Sequence, residues 1–455
     1  MKDMTKGFPA KIIFLFAIPL MLGNIAQQIY SITDSKIVSL YVNSDALAAV
    51  GSTVVISNLL VGFLNGLTQG FGIVIARLFG AKDFKNLRKH IGGTFALTAV
   101  FAIAFTAIGV ATVRPVLRLL RTRESIFDDA ASYLTIIMWG IVFTAIYNMS
   151  ANILRAVGDS KRPLYCLVVA IVCNIGLDFL FVKYFKWGIK GAAYATIIAQ
   201  ACCAISALSI LVIKAKDLIP TKDEKLEKSG YKELLIYGFA MGLMGSIVNV
   251  GTIVLQFGIN ELGITVVTAH TASRRILDIL MVLVYTIGVS LTTFVSQNFG
   301  AGRFDRIKSG VRQSIMMTSA ITTAIIAFTF AFSNVLVGWV ASSDNPEIIA
   351  NGNMYLRIAV VCFYMLGPLF IFRCSMQGMG SSVIPLVTSF LEMLIKILSV
   401  IFLVPRLKYL GVALTEPISW FVMTAVLLVG YIVLIRKIER NNNVDSQDVK
   451  ETIIE

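Results

Sequence analysis

Charge is scarce in this 455-residue chain: Asp, Glu, Lys and Arg make up 15% of it, and there are two histidines, His90 and His270. Soluble domains carry about 25% charged residues, so a soluble globular chain of this length is excluded. With no HExxH and no Ser/His pairing, the parts of a hydrolytic or metal-dependent active site are missing, and the chain reads as no enzyme. Six cysteines (Cys166, Cys173, Cys202, Cys203, Cys362, Cys374) lie inside apolar runs without a CxxC or a Cys/His cluster. They read as small core residues rather than as a disulfide framework or a zinc site, and no cofactor is called for. Nor does a cleavable signal stand at the start, since Met1–Lys11 leads at once into a span too long for an h-region, with no small-residue cleavage site.

What is present is apolar surface. Hydrophobic residues are 57% of the chain and the mean hydropathy is +0.80. Runs of about 20 residues, enough to cross roughly 30 Å of hydrocarbon, recur along the whole length. They fall near 11–42, 46–76, 91–113, 129–154, 163–185, 190–214, 233–260, 264–297, 311–340, 348–374, 384–405 and 410–436. The expected fold is an all-α integral membrane protein of about twelve transmembrane helices. The net charge of +14 is scattered through short loops and forms no continuous face, so nucleic acid is not an expected partner; the bilayer is. One set of alternate loops and both ends hold most of the Lys and Arg, among them Arg77, Lys85, Arg88, Arg155, Arg303, Arg306 and Arg436. The positive-inside rule makes that side, with both termini, cytoplasmic, for a multi-pass protein of the cytoplasmic (inner) membrane. The loop carrying Arg114, Arg118, Arg121 and Arg123 runs against the rule.

The widest polar gap, Lys214 to Lys232, divides the chain into near-equal halves. The expected organisation is an N-lobe over 1–214, a cytoplasmic linker over 215–232, a C-lobe over 233–436 and a loose polar cytoplasmic tail over 437–455. The halves repeat each other. ARLFGAKDFKNLRK from Ala76 matches SQNFGAGRFDRIKS from Ser296, pairing Gly80 with Gly300 at a spacing of 220. RAVGDSKRP from Arg155 matches QGMGSSVIP, pairing Gly158 with Gly380 and Pro163 with Pro385 at 222. Gly191 and Ala193 pair with Gly411 and Ala413, again at 220. Six spans per half make these parallel repeats, two pseudo-symmetric six-helix lobes with a substrate cavity between them, suited to rocking-type alternating access.

Polar residues inside the spans carry the chemistry. A carboxylate in hydrocarbon costs roughly 2.5–3.5 kcal/mol even on lenient scales, so Asp34 in the first span needs a purpose. Tyr30 lies one turn before it. The fifth span places Asn174 and Asp178 four residues apart on one helix face, and the sixth offers Thr196 and Gln200 at the same spacing. If Asp34 and Asp178 converge they cannot both remain charged, and the pair holds a proton or shares Na⁺ with the Asn174 and Thr196 oxygens. The fourth span adds Asn152. In the second half, Asn174 maps at 222 to Lys396, and Thr196 maps at 220 to Glu416, with Glu392 one turn before Lys396. The expectation is that this counterpart is closed by a built-in ammonium, Lys396 paired with Glu392 or Glu416. His270, Arg274, Arg275 and Asp278 form a further charged run in the eighth span, with Arg274 and Asp278 spaced to pair.

AIPLMLGNIAQQIYSITDS, RLFGAKDFKNLRK with its echo NFGAGRFDRIK, RAVGDSKRP, and NIGLDFLFV followed by GIKGAAYATIIAQ together resemble the multidrug and toxic compound extrusion (MATE) family, nearest its bacterial DinF-like and MepA-like branch. The resemblance runs from about residue 10 to 436. It implies a twelve-helix, two-lobed antiporter that exports organic cations or other small amphiphiles in exchange for H⁺ or Na⁺, and a monomer is the expected state. The family's first-lobe ion site carries over to Asp34, Asn174, Asp178 and Thr196, with Tyr30 and Asn152 near the site and the cavity. One branch of the family carries acidic residues in its seventh and tenth spans. Here the seventh has Gln256 and a terminal Glu261 and the tenth has Arg357, so a second-lobe sodium site of that kind is not implied. The alternative within the same superfamily is an exporter or flippase of lipid-linked or other anionic substrates.

Overall fold

The computed structural model describes residues 2–42, 44–119, 122–221 and 224–454, with side chains left undescribed over 441–454 and at some positions of the first two helices. Arg121 of the loop that opposes the charge rule, and Lys222 and Asp223 of the linker, lie outside the described residues. The described chain is helical and contains no strand. That follows from composition, because inside a bilayer every backbone N–H and C=O must be bonded within its own segment.

The long helices are α1 (Pro9–Tyr41), α2 (Ser44–Gly80), α3 (Phe84–Leu119), α4 (Glu124–Ala156), α5 (Lys161–Asp178), α6 (Gly188–Lys214), α7 (Lys228–Asn260), α8 (Ile264–Gly300) and α9 (Phe304–Ala341). Then come α10 (Pro346–Val361), α11 (Phe363–Gly378), α12 (Val383–Leu398), the short α13 (Val404–Leu407) and α14 (Tyr409–Ile454). Eleven described helices are long and apolar enough to span a membrane, and α10 with α11, bent by 49° at Cys362, form a broken twelfth. Beyond Arg440, α14 continues through the polar tail to Ile454. Its i,i+4 backbone bonds need no apolar face to close.

Two compact units emerge from the contacts, Met1–Asn249 with Val289–Gly310, and Val250–Gly288 with Val311–Glu455. In the first, α4 is central, packed by α2, α3 and α6, while α1 lies on α5 and α6. Its core joins Leu64, Leu67 and Phe71 of α2 to Leu134, Met138 and Ile141 of α4. In the second unit α14 is the hub, with α10, α11 and α12 against it.

Repeated local geometry explains the repeated residues. Gly158 and Gly380 both end a helix with positive φ, 85° and 88°, a conformation open to glycine and strained for L side chains. Gly80 and Gly300 serve a different need. A Cβ on Gly80 would sit 1.9 Å from the Gln297 carbonyl oxygen, and one on Gly300 1.9 Å from that of Arg77, so the ends of α2 and α8 cross through their two glycines. A π-helical turn follows α5 at Phe179–Tyr184, and another follows α12 at Ser399–Leu403, starting 220 residues later. Such turns insert an extra residue and re-aim the side chains beside them.

Candidate functional site

In the first unit, α1 packs across α5 and α6, and that crossing sets the positions of the polar residues in their spans. Asn174 and Asp178 are each 1% exposed, on the last turn of α5 just before the π-helical segment. With its amide oriented to satisfy both neighbours, Asn174 donates to Asp178 Oδ2 at 2.8 Å and accepts from the Thr196 backbone N at 3.1 Å. Asp34 on α1 and Asp178 on α5 lie close enough for their carboxyl groups to interact. Oδ1 of each is buried and has no partner among the described residues. Tyr30 lies within interaction range of Thr196, whose hydroxyl donates to the Ala192 carbonyl at 3.0 Å. Five polar side chains from three helices thus meet around two unsatisfied carboxyl oxygens.

Tyr133 of α4 lies in the electrostatic range of both Asp34 and Asp178 and was not singled out by the sequence analysis. The repeat held the signal, since Tyr133 and Tyr355 are 222 apart and both tyrosines are buried. Asn152 goes elsewhere: its Nδ2 donates to Thr68 Oγ1 at 3.1 Å and its Oδ1 accepts from Arg155 at 3.1 Å. Gly72 and Thr292 share a small cavity with it, and no described hydrogen bond joins it to the aspartates.

The second unit handles its buried charge differently. Lys396 and Glu392 are 2% and 8% exposed, and Lys396 Nζ donates to Glu392 Oε1 at 3.0 Å and to Thr252 Oγ1 at 3.1 Å. Arg373 adds a longer contact to Glu392 at 3.9 Å. Glu416 bonds Arg274 rather than Lys396, and it also accepts from the Tyr355 hydroxyl at 3.3 Å. Nε of Arg274 donates to Asp278 Oδ1 at 2.8 Å. At the repeat spacing of 222, Thr252 stands where Tyr30 does and Gln256 where Asp34 does. An amide and an ammonium therefore occupy the positions that hold a carboxyl and an amide in the first unit.

Near the first unit's loops the charges are arranged as tethers. Arg88 grips Glu224 with Nε at 2.9 Å and Nη2 at 2.7 Å, holding the segment after α6 to the start of α3. Arg88 keeps the Glu224 carboxyl far below its ordinary value, at about 2. Arg77 bonds Glu233, and the His90 ring lies 3.5 Å from the same carboxylate. The N-terminal strip is stitched into the same unit, with Lys2 N donating to Val157 O at 3.0 Å and Met4 N to Gln297 Oε1 at 2.9 Å.

Eleven apolar spans and a broken twelfth among the described residues, in a duplicated helical fold with buried polar clusters, define a polytopic membrane protein. The chain belongs to the MatE family, whose model matches residues 19–180 and again 240–402, beginning 221 residues apart as the internal repeat does. The family is one of transporters and not of enzymes. The chain is 28% identical over 431 residues to the probable multidrug resistance protein YoeA of Bacillus subtilis, covering 92% of each chain. It is 30% identical over 382 residues to the probable multidrug resistance protein YpnP of the same organism, covering 83% of this chain and 84% of that one. Among solved structures, a MATE transporter in its straight conformation superposes with a TM-score of 0.89 at 21% identity, over 96% of this chain and 98% of the other.

Proposed function

We propose that this chain is a secondary-active exporter of organic cations and other small amphiphiles, coupled to H⁺ or Na⁺ by alternating access. In this reading it works as a monomer in the cytoplasmic membrane, both termini inside, with lobes over 1–214 and 233–436 and a linker over 215–232. Asp34, Asn174, Asp178 and Thr196 hold the coupling ion, Tyr30 and Tyr133 surround it, and Asn152 belongs to the polar cavity of the same lobe. The observation that carries the reading is that Asp34 and Asp178, on different helices, each have a buried Oδ1 with no partner among the described residues.

Two carboxyl groups this close in a low-dielectric span keep one negative charge and one proton, or take a cation in the proton's place. Exchange of that ion changes the electrostatics between α1 and α5, and a ligand shifts a conformational equilibrium only through its different affinity for the two states. In the second lobe Lys396 takes the part of a permanently bound cation beside Glu392, leaving Glu416 to Arg274. The test is efflux of a fluorescent organic cation from proteoliposomes under an imposed pH or Na⁺ gradient. Efflux driven by one gradient in the native chain and lost in Asp34→Asn supports the reading and names the ion. A folded native protein that responds to neither gradient overturns it.

A further inference from the structure

A cavity of about 170 Å³ opens within the second unit, between α7 and α8, with Thr252, Gln256, His270, Arg274 and Arg275 in its wall. Arg275 is the unexplained member. It lies eleven residues into α8, about 16 Å along the helix axis at 1.5 Å per residue, next to Arg274 in the charged run, and it is exposed. Its exposure carries no burial cost, so what singles it out is its place in the cavity wall. Every other cation nearby is matched: Arg274 by Glu416 and Asp278, Lys396 and Arg373 by Glu392. Arg275 has no carboxylate partner among the described residues. The cluster sets four cations against three carboxylates, and the three carboxylates stand behind Arg274 or Lys396 rather than in the cavity wall.

The wall facing the void carries two guanidinium groups and the Gln256 amide, whose Nε2 also donates to Asn260 Oδ1 at 2.8 Å, while the Thr271 hydroxyl is spent on the Val267 carbonyl. Glu416 and Asp278 fix the Arg274 plane through Nη1 and Nε, leaving its remaining N–H groups for another acceptor. A planar oxyanion is the ligand that guanidinium groups recognise through paired hydrogen bonds. The volume holds a carboxylate and the atoms next to it, not a whole drug-sized molecule. We propose that this cavity is a subsite for the carboxylate of a transported amphiphile, with Arg275 as its binding charge and Arg274, held by Glu416 and Asp278, as the group that orients it. Resting on the transport reading above, it narrows the substrate class to amphiphiles that carry an acid group, zwitterions included.

The probe is a rhodamine dye used as its free acid and as its methyl ester, which differ in one carboxylate. Binding of each is measured to the full chain in nanodiscs of phosphatidylcholine alone and, in a second arm, with phosphatidylglycerol added. The native chain binds the free acid about tenfold more tightly than the ester, the size of one charge-assisted contact. Arg275→Gln brings the ratio close to one, and Arg275→Lys, folded to the same melting temperature, recovers part of it. Equal affinity of the native chain for both dyes, or a full ratio in Arg275→Gln, overturns the subsite. So does a phosphatidylglycerol-dependent rise in melting temperature that Arg275→Gln abolishes without any acid preference in phosphatidylcholine, because the anion is then a lipid headgroup. A native chain that drives ester efflux but shows no acid preference removes the subsite and leaves the transport reading. One that drives neither dye removes the reading beneath it.

Discussion

At the residue scale, the two units solve the same problem of buried charge in opposite ways. Asp34 and Asp178 share their charge with each other and leave Oδ1 of each open, while Glu392 is closed by Lys396. Removing one member of a buried pair leaves the other uncompensated, at a cost of about 3–5 kcal/mol. Lys396→Met is therefore expected to lower the melting temperature of the detergent-solubilised protein sharply, and Lys396→Met with Glu392→Gln to regain most of the loss. An additive double variant would mean that the two do not stabilise each other. Asp34→Asn behaves differently, because a neutral amide can bond Asp178 without its charge. It is expected to leave the melting temperature within a few degrees of native while abolishing gradient-driven efflux.

At the scale of elements, close helix crossings and tethers fix where these side chains stand. Gly80→Ala forces a methyl group against the Gln297 carbonyl, and overpacking of this kind costs typically 1–3 kcal/mol. Gly51→Ala on the same α2 meets nothing within 4 Å and is expected to be neutral or slightly stabilising, since alanine favours helix over glycine. Comparing their melting temperatures separates crossing geometry from helix propensity. The Arg88–Glu224 tether has a pH signature of known sign. The folded-state value of Glu224 is depressed to about 2, so its contribution is complete above the ordinary glutamate value of 4.5 and is lost as pH falls through that window. Hydrogen exchange of the segment between α6 and α7 is expected to quicken as pH falls from 5 towards 2 by more than the intrinsic chemistry requires, and Glu224→Gln to remove the excess. As Glu224 lies half-buried in the segment that Arg88 tethers, the effect is confined to that segment.

At the scale of the molecule, duplication supplies two copies of one design, and substitution has made them unequal. Tyr133 and Tyr355 remain in place, but Asp34 is answered by Gln256 and Asn174 by Lys396. If the second copy carries its cation covalently, coupling needs one exchangeable ion site per chain. Proton release on Na⁺ addition, or Na⁺ binding by calorimetry, is expected to report a single class of site that Asp34→Asn removes. Two classes would show that Lys396 does not close the second lobe.

Composition and spacing alone determined the membrane class, the spans and the duplication, because a bilayer imposes span length and backbone satisfaction on any sequence that enters it, while the family came from the resemblance of its motifs. The polar residues Asp34, Asn174, Asp178 and Thr196 were legible for the same reason: each is conspicuous against an apolar background. What no periodicity could give was which partner each would take. Tertiary packing decided that Glu416 bonds Arg274 and not Lys396, that Asn152 joins Thr68 and Arg155, and that Tyr133 faces the aspartates. The spacing along one helix fixes a face, but a bond between helices depends on how they cross, and the approach of α2 to α8 through Gly80 and Gly300 is one crossing no periodicity could give.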